Sequence, residues 1–191
     1  MPILIIGLGN PGEKYEKNRH NTGFIILEEL RKFWNFPDFA FNKKFNSEIS
    51  EKTNSLLPPG EGVRRADEGS NNKIILARPQ TFMNNSGEAV KKIMDFYKLT
   101  SQDIVVIHDD LDINPGEFRI ATDSSSAGHK GVENIMEKIG TQEFKRIRIG
   151  IEGEEKRKTR TIPGDAFVLQ DFSEEELEPI RNLAQDLKTI I

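Results

Sequence analysis

Apolar residues along the chain follow two different periods, and their alternation predicts an architecture before any chemistry is considered. Residues 3–6, "ILII", form a continuous apolar run ended by Gly7, the pattern of a strand buried on both faces. "KIILAR" (73–78) and "DIVVIH" (103–108) read the same way, "EFRIA" (117–121) as a shorter strand and "FNSEIS" (45–50) as a weak one. "FKRIRIGI" (144–151) alternates basic and apolar residues, which predicts a strand with one wet face. Between these runs the period becomes helical. "TGFIILEELRKFW" (22–34) places Ile26, Leu27, Leu30, Phe33 and Trp34 on one side, with Thr22 as the expected cap. "NSGEAVKKIMDFYKL" (85–99) gathers Ala89, Val90, Ile93, Met94 and Tyr97, and the Asn85…Glu88 spacing predicts a capping box. "HKGVENIMEKIG" predicts a helix closed by Gly140. "SEEELEPIRNLAQDLKTII" predicts a C-terminal helix with its acidic residues at the positive end of the dipole. Residues 52–72 hold two prolines, three glycines and no period, so a long surface loop is expected there. Strands and helices alternate without an internal repeat or an interdomain linker. The expected fold class is therefore α/β: a single domain over 1–191 with a central mixed, mostly parallel twisted sheet flanked by helices.

Composition narrows the function classes. A chain of 191 residues, 36% hydrophobic and 30% charged, is long enough for one well-filled core and too apolar to be disordered. The absence of cysteine excludes disulfides, thiolate metal sites and a cysteine nucleophile. No apolar stretch reaches membrane-spanning length and the first residues lack a basic n-region, so a cytoplasmic protein is expected. The net charge of −4 argues against a general nucleic-acid binder. Its distribution qualifies that: basic residues cluster at Lys145, Arg146 and Arg148, then at Lys156, Arg157, Lys158 and Arg160. A local positive face is compatible with a negative sum.

Gly7, Gly9 and Gly12 spell G-x-G-x-x-G, the dinucleotide fingerprint. That site needs a helix that begins within the glycine loop, so that its N-terminus faces the pyrophosphate. Here Pro11 and the polar stretch "EKYEKNRHN" follow, and the helical period starts only near Thr22. The spacing is a coincidence of letters. The segment instead presents Asn10 just beyond a strand end and His20 in a loop with no apolar period, and open α/β sheets bind ligands at such strand ends. A histidine is the side chain best suited to act as a base near neutral pH, and a carboxylate on its other nitrogen fixes the tautomer and stabilises the imidazolium. Of the three histidines, His108 closes a buried strand and reads as packed, and His129 opens a helix and reads as a cap. Asp109, at the end of "VVIHDD", is a candidate partner for His20. Asp112, just before "NPG", reads as a turn or capping residue, although strand-end aspartates also suit Mg²⁺ and "DLDIN" partly matches the D-x-D of aspartate phosphatases. In "RPQTFMNNSG", one of Asn84 and Asn85 is expected to cap the next helix and the other to point an amide N–H at a developing oxyanion.

Five stretches, "IIGLGNPGEKYEKNRHNTGF", "RPQTFMNNSGEAV", "IHDDLDINPGEFRI", "SAGHKGVENI" and "RIRIGI", occur in the order found in bacterial-type peptidyl-tRNA hydrolases, and the chain closely resembles that family over most of residues 3–151. "FVLQDFSEEE" is similar to the family's C-terminal segment. The resemblance implies hydrolysis of the ester between a peptide and the 3′-terminal ribose of tRNA, by a monomer with no metal, no cofactor and no membrane association. It implies His20 as general base, Asp109 as the carboxylate that orients it, and Asn10 and Asn84 as amides that hold the peptidyl–ribose end. Tyr15, Phe82 and Lys130 fall on substrate-binding positions, and Arg119 and Arg148 on positions linked to tRNA phosphates. The chain departs from the family pattern in four respects. Lys130 stands where Asn is common, residues 52–72 make a longer loop, "EGEEKRKT" replaces a short turn, and the pI of about 5.5 is low. A catalytically silent RNA-binding relative with the same fold is the alternative reading, and a Mg²⁺ phosphatase a more distant one.

Overall fold

In the computed structural model, which describes residues 2–54 and 72–191, the apolar runs become the strands of one sheet. The strands are β1 (Ile3–Gly7), β2 (Ala40–Asn42), β3 (Ser47–Asn54), β4 (Asn72–Pro79), β5 (Ile104–Asp110), β6 (Phe118–Ala121) and β7 (Lys145–Gly150). Their order is β2-β3-β4-β1-β5-β7-β6. The four central strands, β4, β1, β5 and β7, are parallel, and antiparallel pairing is confined to the two edges. The helices are α1 (Thr22–Phe33), α2 (Ser86–Tyr97), α3 (Lys130–Ile139), α4 (Glu154–Thr159), α5 (Gly164–Phe167) and α6 (Glu174–Leu187).

Central parallel strands are covered on both faces, which is why β1 and β5 read as unbroken apolar runs. Leu4, Ile6 and Leu8 point into one core with Val90 and Ile93 of α2 and Val132 and Ile135 of α3. Ile5 points the other way, into a core closed by Ile26, Leu27 and Leu30 of α1 and by Leu177, Ile180 and Leu183 of α6. Gly7, the first glycine of the misleading fingerprint, serves this packing. A Cβ on Gly7 would stand 2.3 Å from the carbonyl oxygen of Gly23, and one on Gly23 would stand 2.3 Å from Leu8 N and 2.4 Å from Ile107 O. Helix α1 therefore rests directly on the backbone of β1 and β5. Gly23→Ala is expected to destabilise the fold by about 1–3 kcal/mol or more, because backbone atoms cannot yield to the methyl group. Thermal unfolding beside Gly153→Ala, whose methyl would meet open space, checks this; equal melting temperatures would refute it.

Several local expectations are corrected. Thr22 does not cap α1: its hydroxyl donates to Arg19 O at 2.6 Å, and the N-cap residue is Asn21, whose side chain is used elsewhere. The Asn85…Glu88 capping box does not form. The chain enters α2 through a 3₁₀ turn over Met83–Asn85, and Asn134 of α3 accepts from Gly87 N at 2.8 Å instead. Of the loop expected over 52–72, residues 55–71 lie outside the described residues. Its ends are strand: Lys52, Thr53 and Asn54 pair with Ile74, Lys73 and Asn72. Backbone pairing needs no side-chain period, so polar residues concealed it. The polar stretch after Gly12 contains two 3₁₀ turns, Glu13–Tyr15 and Arg19–Asn21. The C-terminal helix ends at Leu187 and starts with a true capping box, Ser173 with Glu176. Phe33, expected on the buried face of α1, is 45% exposed, with Lys188 at the end of α6 lying 4.9 Å from its ring.

Candidate active site

Because β4, β1 and β5 are parallel neighbours, their carboxyl ends open on one side of the sheet, where ligands bind in folds of this kind. Asn10 follows β1, Phe82 and Asn84 follow β4, and Asp109 is the penultimate residue of β5. Together with His20, these residues line a cleft of about 580 Å³.

Asn10 is set by two neighbours. Its backbone N–H donates to Asn21 Oδ1 at 2.9 Å while Asn21 Nδ2 donates back to Asn10 O at 3.0 Å, clamping the β1 turn to the His20 loop. Asn10 Oδ1 accepts from Met83 N at 2.9 Å. That bond fixes the orientation of the amide and leaves Nδ2 as the group Asn10 can offer to a ligand. Asn84 is exposed in the cleft wall and has the same kind of donor available.

All three histidines of the chain gather around Asp109. His20 Nδ1 lies 2.9 Å from Asp109 Oδ2 and 3.0 Å from Oδ1, and His129 Nε2 lies 3.0 Å from Oδ1. His129 Nδ1 accepts from Val132 N at 3.3 Å, so it is unprotonated and the ring's proton sits on Nε2, donated to Asp109. The same logic puts the His20 proton on Nδ1 and leaves the Nε2 lone pair free. His108 is fully buried; its Nδ1 donates to Asp109 O at 2.8 Å and its ring stands 4.6 Å from that of His129. Reading His129 as a cap and His108 as packed agrees with these contacts but leaves out the second imidazole on Asp109. Its signal is the third histidine itself, the residue that opens the predicted helix.

The electrostatics follow from one buried charge among three rings. Burial pushes the His20 pKa down, but the Asp109 charge and hydrogen bond together outweigh it, so the pKa is raised above its ordinary value. Burial pushes the Asp109 carboxyl up, and His20 and His129 pull it down further, holding it well below the usual carboxylate range. His108 moves the other way: burial, then His129, keeps its pKa well below the ordinary value, so it stays neutral.

His20, Asp109 and His129 also form a group whose ligand atoms lie within 4.8 Å of one another, near enough to share a metal ion. Their proton arrangement opposes it. A cation would need lone pairs at His20 Nδ1 and His129 Nε2, both of which carry protons, and the Val132 N–H stops the His129 proton from moving to Nδ1. The geometry favours proton transfer.

The His20 loop is held by the C-terminal segment. His20 N donates to Val168 O at 2.8 Å and Arg19 N to Gln170 O at 3.0 Å. The buried Arg19 guanidinium makes two bonds to Glu176, at 2.8 and 3.0 Å, and lies 4.4 Å from the Phe167 ring. Sequence reasoning missed Arg19, since its partner stands 157 positions away.

A family model described as peptidyl-tRNA hydrolase matches residues 4–191. The chain belongs to the peptidyl-tRNA hydrolase family. The Geobacillus kaustophilus peptidyl-tRNA hydrolase is 41% identical over 173 residues, spanning 91% of this chain and 82% of the relative. The Brevibacillus brevis peptidyl-tRNA hydrolase is 43% identical over 172 residues, spanning 88% and 78%. The crystal structure of peptidyl-tRNA hydrolase from Acinetobacter baumannii matches with a TM-score of 0.78 at 28% identity, covering 97% of this chain and 84% of that one.

The remaining positions drawn from the family pattern fall into three places. Phe82 is 56% exposed at the cleft, and Tyr15 stands behind it in edge-to-face contact, ring centroids 6.5 Å apart, without lining the cleft itself. Lys130, the first residue of α3, lines the cleft and pairs with Glu133 at 3.1 Å on the exposed helix face. Arg119 and Arg148 are opposite each other on β6 and β7, outside the cleft lining. Arg119 is exposed, and Arg148 Nε donates to Asp110 Oδ2 at 2.7 Å. Asp110 also accepts from Asp112 N at 2.9 Å within the turn after β5, and sequence reasoning missed its pairing with Arg148.

Proposed function

We propose that this chain hydrolyses the ester joining a peptide to the 3′-terminal ribose of tRNA, with His20 as general base. The observation that carries the reading is the His20–Asp109 pair in the cleft, its Nε2 lone pair free and the amides of Asn10 and Asn84 beside it. A water molecule held by Nε2 attacks the ester carbonyl and gives its proton to His20. Asp109 stabilises the imidazolium and keeps the ring in the working tautomer, while His129 holds the carboxylate from its other side. The developing oxyanion takes hydrogen bonds from Asn10 Nδ2 and Asn84. Collapse expels the ribose 3′-oxygen, which takes the proton back from His20, and the peptide leaves as a carboxylic acid. An ester is activated enough that this set of groups needs no Lewis acid.

Phe82, with Tyr15 behind it, gives the cleft an apolar wall for peptide or base, and Lys130 a cation at its rim. Arg119 and Arg148 contact phosphates of the acceptor stem, which supplies register and salt-sensitive affinity while the cleft selects the bond. The enzyme acts as a monomer in the cytoplasm, where stalled peptidyl-tRNA is recycled. Among the described residues no helix is long and apolar enough to cross a membrane.

Ester cleavage of an N-blocked aminoacyl-tRNA in the presence of a chelator tests the reading. Release of the blocked amino acid at an unchanged rate with and without chelator is expected. Loss of activity with chelator would replace proton chemistry with metal chemistry at the His20–Asp109–His129 group. No cleavage with retained tRNA binding would leave an RNA-binding member of the family.

A further inference from the structure

The cleft holds a cation that the reading above does not use. Arg157, on α4, lines the same cleft as His20 and Lys130, and its Nη1 pairs with the Asp112 carboxylate. We propose that Arg157 binds a backbone phosphate near the substrate's 3′ end, and that Asp112 occupies it in the free protein. The inference rests on the proposed function, because it needs a nucleic-acid 3′ end in the cleft.

Three observations carry it. The first is the anchoring of the segment. Arg160 Nε lies 2.9 Å from Oε1 of the fully buried Glu152, its guanidinium is 5.5 Å from the Phe167 ring, and a side chain at Gly164 would press on it at 3.3 Å. Arg160 is thereby committed to holding α4 in place. Arg157, three residues before that anchor and less than one helical turn away, has no comparable structural task. The second is the exposure of its pair: the side chains of Arg157 and Asp112 are 39% and 62% exposed. An ion pair in that setting adds little to stability, whereas a guanidinium forms charge-assisted, bidentate bonds to phosphate, so exchange of partner is favourable. The third is continuity. Asp110 and Asp112 share one turn, through the Asp112 N to Asp110 Oδ1 bond, and each holds an arginine. Asp110 holds Arg148, which stands opposite Arg119, so one turn joins the cleft cation to the two arginines assigned to tRNA phosphates. The three aspartates of "DDLD" thus divide the work: Asp109 orients the base, and the other two hold arginines at phosphate positions.

The competing interpretation is that the pair merely fastens α4 to the turn after β5. The two differ in sign when Asp112 is changed. Binding of uncharged tRNA to the full chain, measured by fluorescence anisotropy over a range of salt concentrations, separates them. Asp112→Asn is expected to tighten binding by about 3-fold, because Arg157 no longer has an internal partner. Arg157→Gln is expected to weaken it by about 5- to 10-fold and to lower the slope of log affinity against log salt by about one. The double variant should match Arg157→Gln. Weaker binding in Asp112→Asn, or unchanged affinity and slope in Arg157→Gln, would overturn the proposal; melting curves verify that each variant is folded. Cleavage by the parent chain is followed in the same preparations. A parent that binds tRNA without cleaving it defeats the hydrolase reading alone, whereas a cleaving parent with an unaffected Arg157→Gln variant defeats the phosphate site alone.

Discussion

Asp109→Asn is expected to lower kcat by about 10³- to 10⁴-fold, the scale seen when an orienting carboxylate is replaced by its amide in a hydrolase triad. The reason here is specific to the two imidazoles that converge on it. An asparagine has one acceptor where Asp109 has two, and both His20 and His129 present N–H groups. His129 cannot change tautomer, since its Nδ1 accepts from Val132 N. The amide oxygen therefore settles at the Oδ1 position on His129, and the amide nitrogen takes the place of Oδ2, the nearer of the two oxygens to His20 Nδ1. His20 is then driven to carry its proton on Nε2, the nitrogen that must accept one from water. Nitrogen chemical shifts of the His20 ring would report the switched tautomer beside the rate. A variant that keeps more than a tenth of parental kcat, with His20 still protonated at Nδ1, would remove Asp109 from the mechanism.

His20→Ala should cost about 10²- to 10⁴-fold in turnover, the range expected for loss of a positioned general base, with tRNA affinity changed little because the ring makes no phosphate contact in this scheme. The parent's pH profile adds an independent check. A general base works only when neutral, and the His20 pKa is raised, so under the proposed mechanism kcat/KM should climb with pH through a midpoint above the ordinary 6.5 of histidine. The linkage to stability has the matching sign. With a folded pKa above the unfolded one, the His20–Asp109 pair contributes its full stabilisation below about pH 6.5 and loses it as pH rises through the folded value. His108 acts in the opposite direction: held neutral in the fold, it withdraws stability as pH falls below 6.5 toward its depressed folded pKa. Urea unfolding of His108→Gln between pH 5 and 7 should show a flatter dependence than the parent. A rate profile whose midpoint falls below 6.5 would contradict the Asp109 contact as the dominant influence on the base.

Much of the fold was legible because its core elements state their burial in their own residues. β1, β4 and β5 lie at the centre of the sheet, so their middle positions, residues 4–6, 74–77 and 104–107, are covered on both faces and read as apolar runs; α1, α2 and α6 each show a stripe because each covers one face. Edge and surface elements carry no such record. β2 is three residues long and largely exposed, and α4 is polar. The outer part of β3 is held by backbone pairing to β4, whose demands any side chain can meet.

The candidate site divides in the same way. The residues alone state which groups are available: three histidines, strand-end aspartates and asparagines, and a glycine loop whose following residues rule out a dinucleotide helix. They also carry the order of motifs that places the chain in its family. How those groups are used is set by the fold. His20 and Asp109 are 89 positions apart, and Arg19 and Glu176 are 157 apart, so no local pattern relates them. Tautomer and charge depend on which donor meets which lone pair, as Val132 N does at His129 and Met83 N at Asn10. Composition and period report burial because burial acts on each residue separately; a hydrogen bond between distant residues exists only once the chain has brought both partners together.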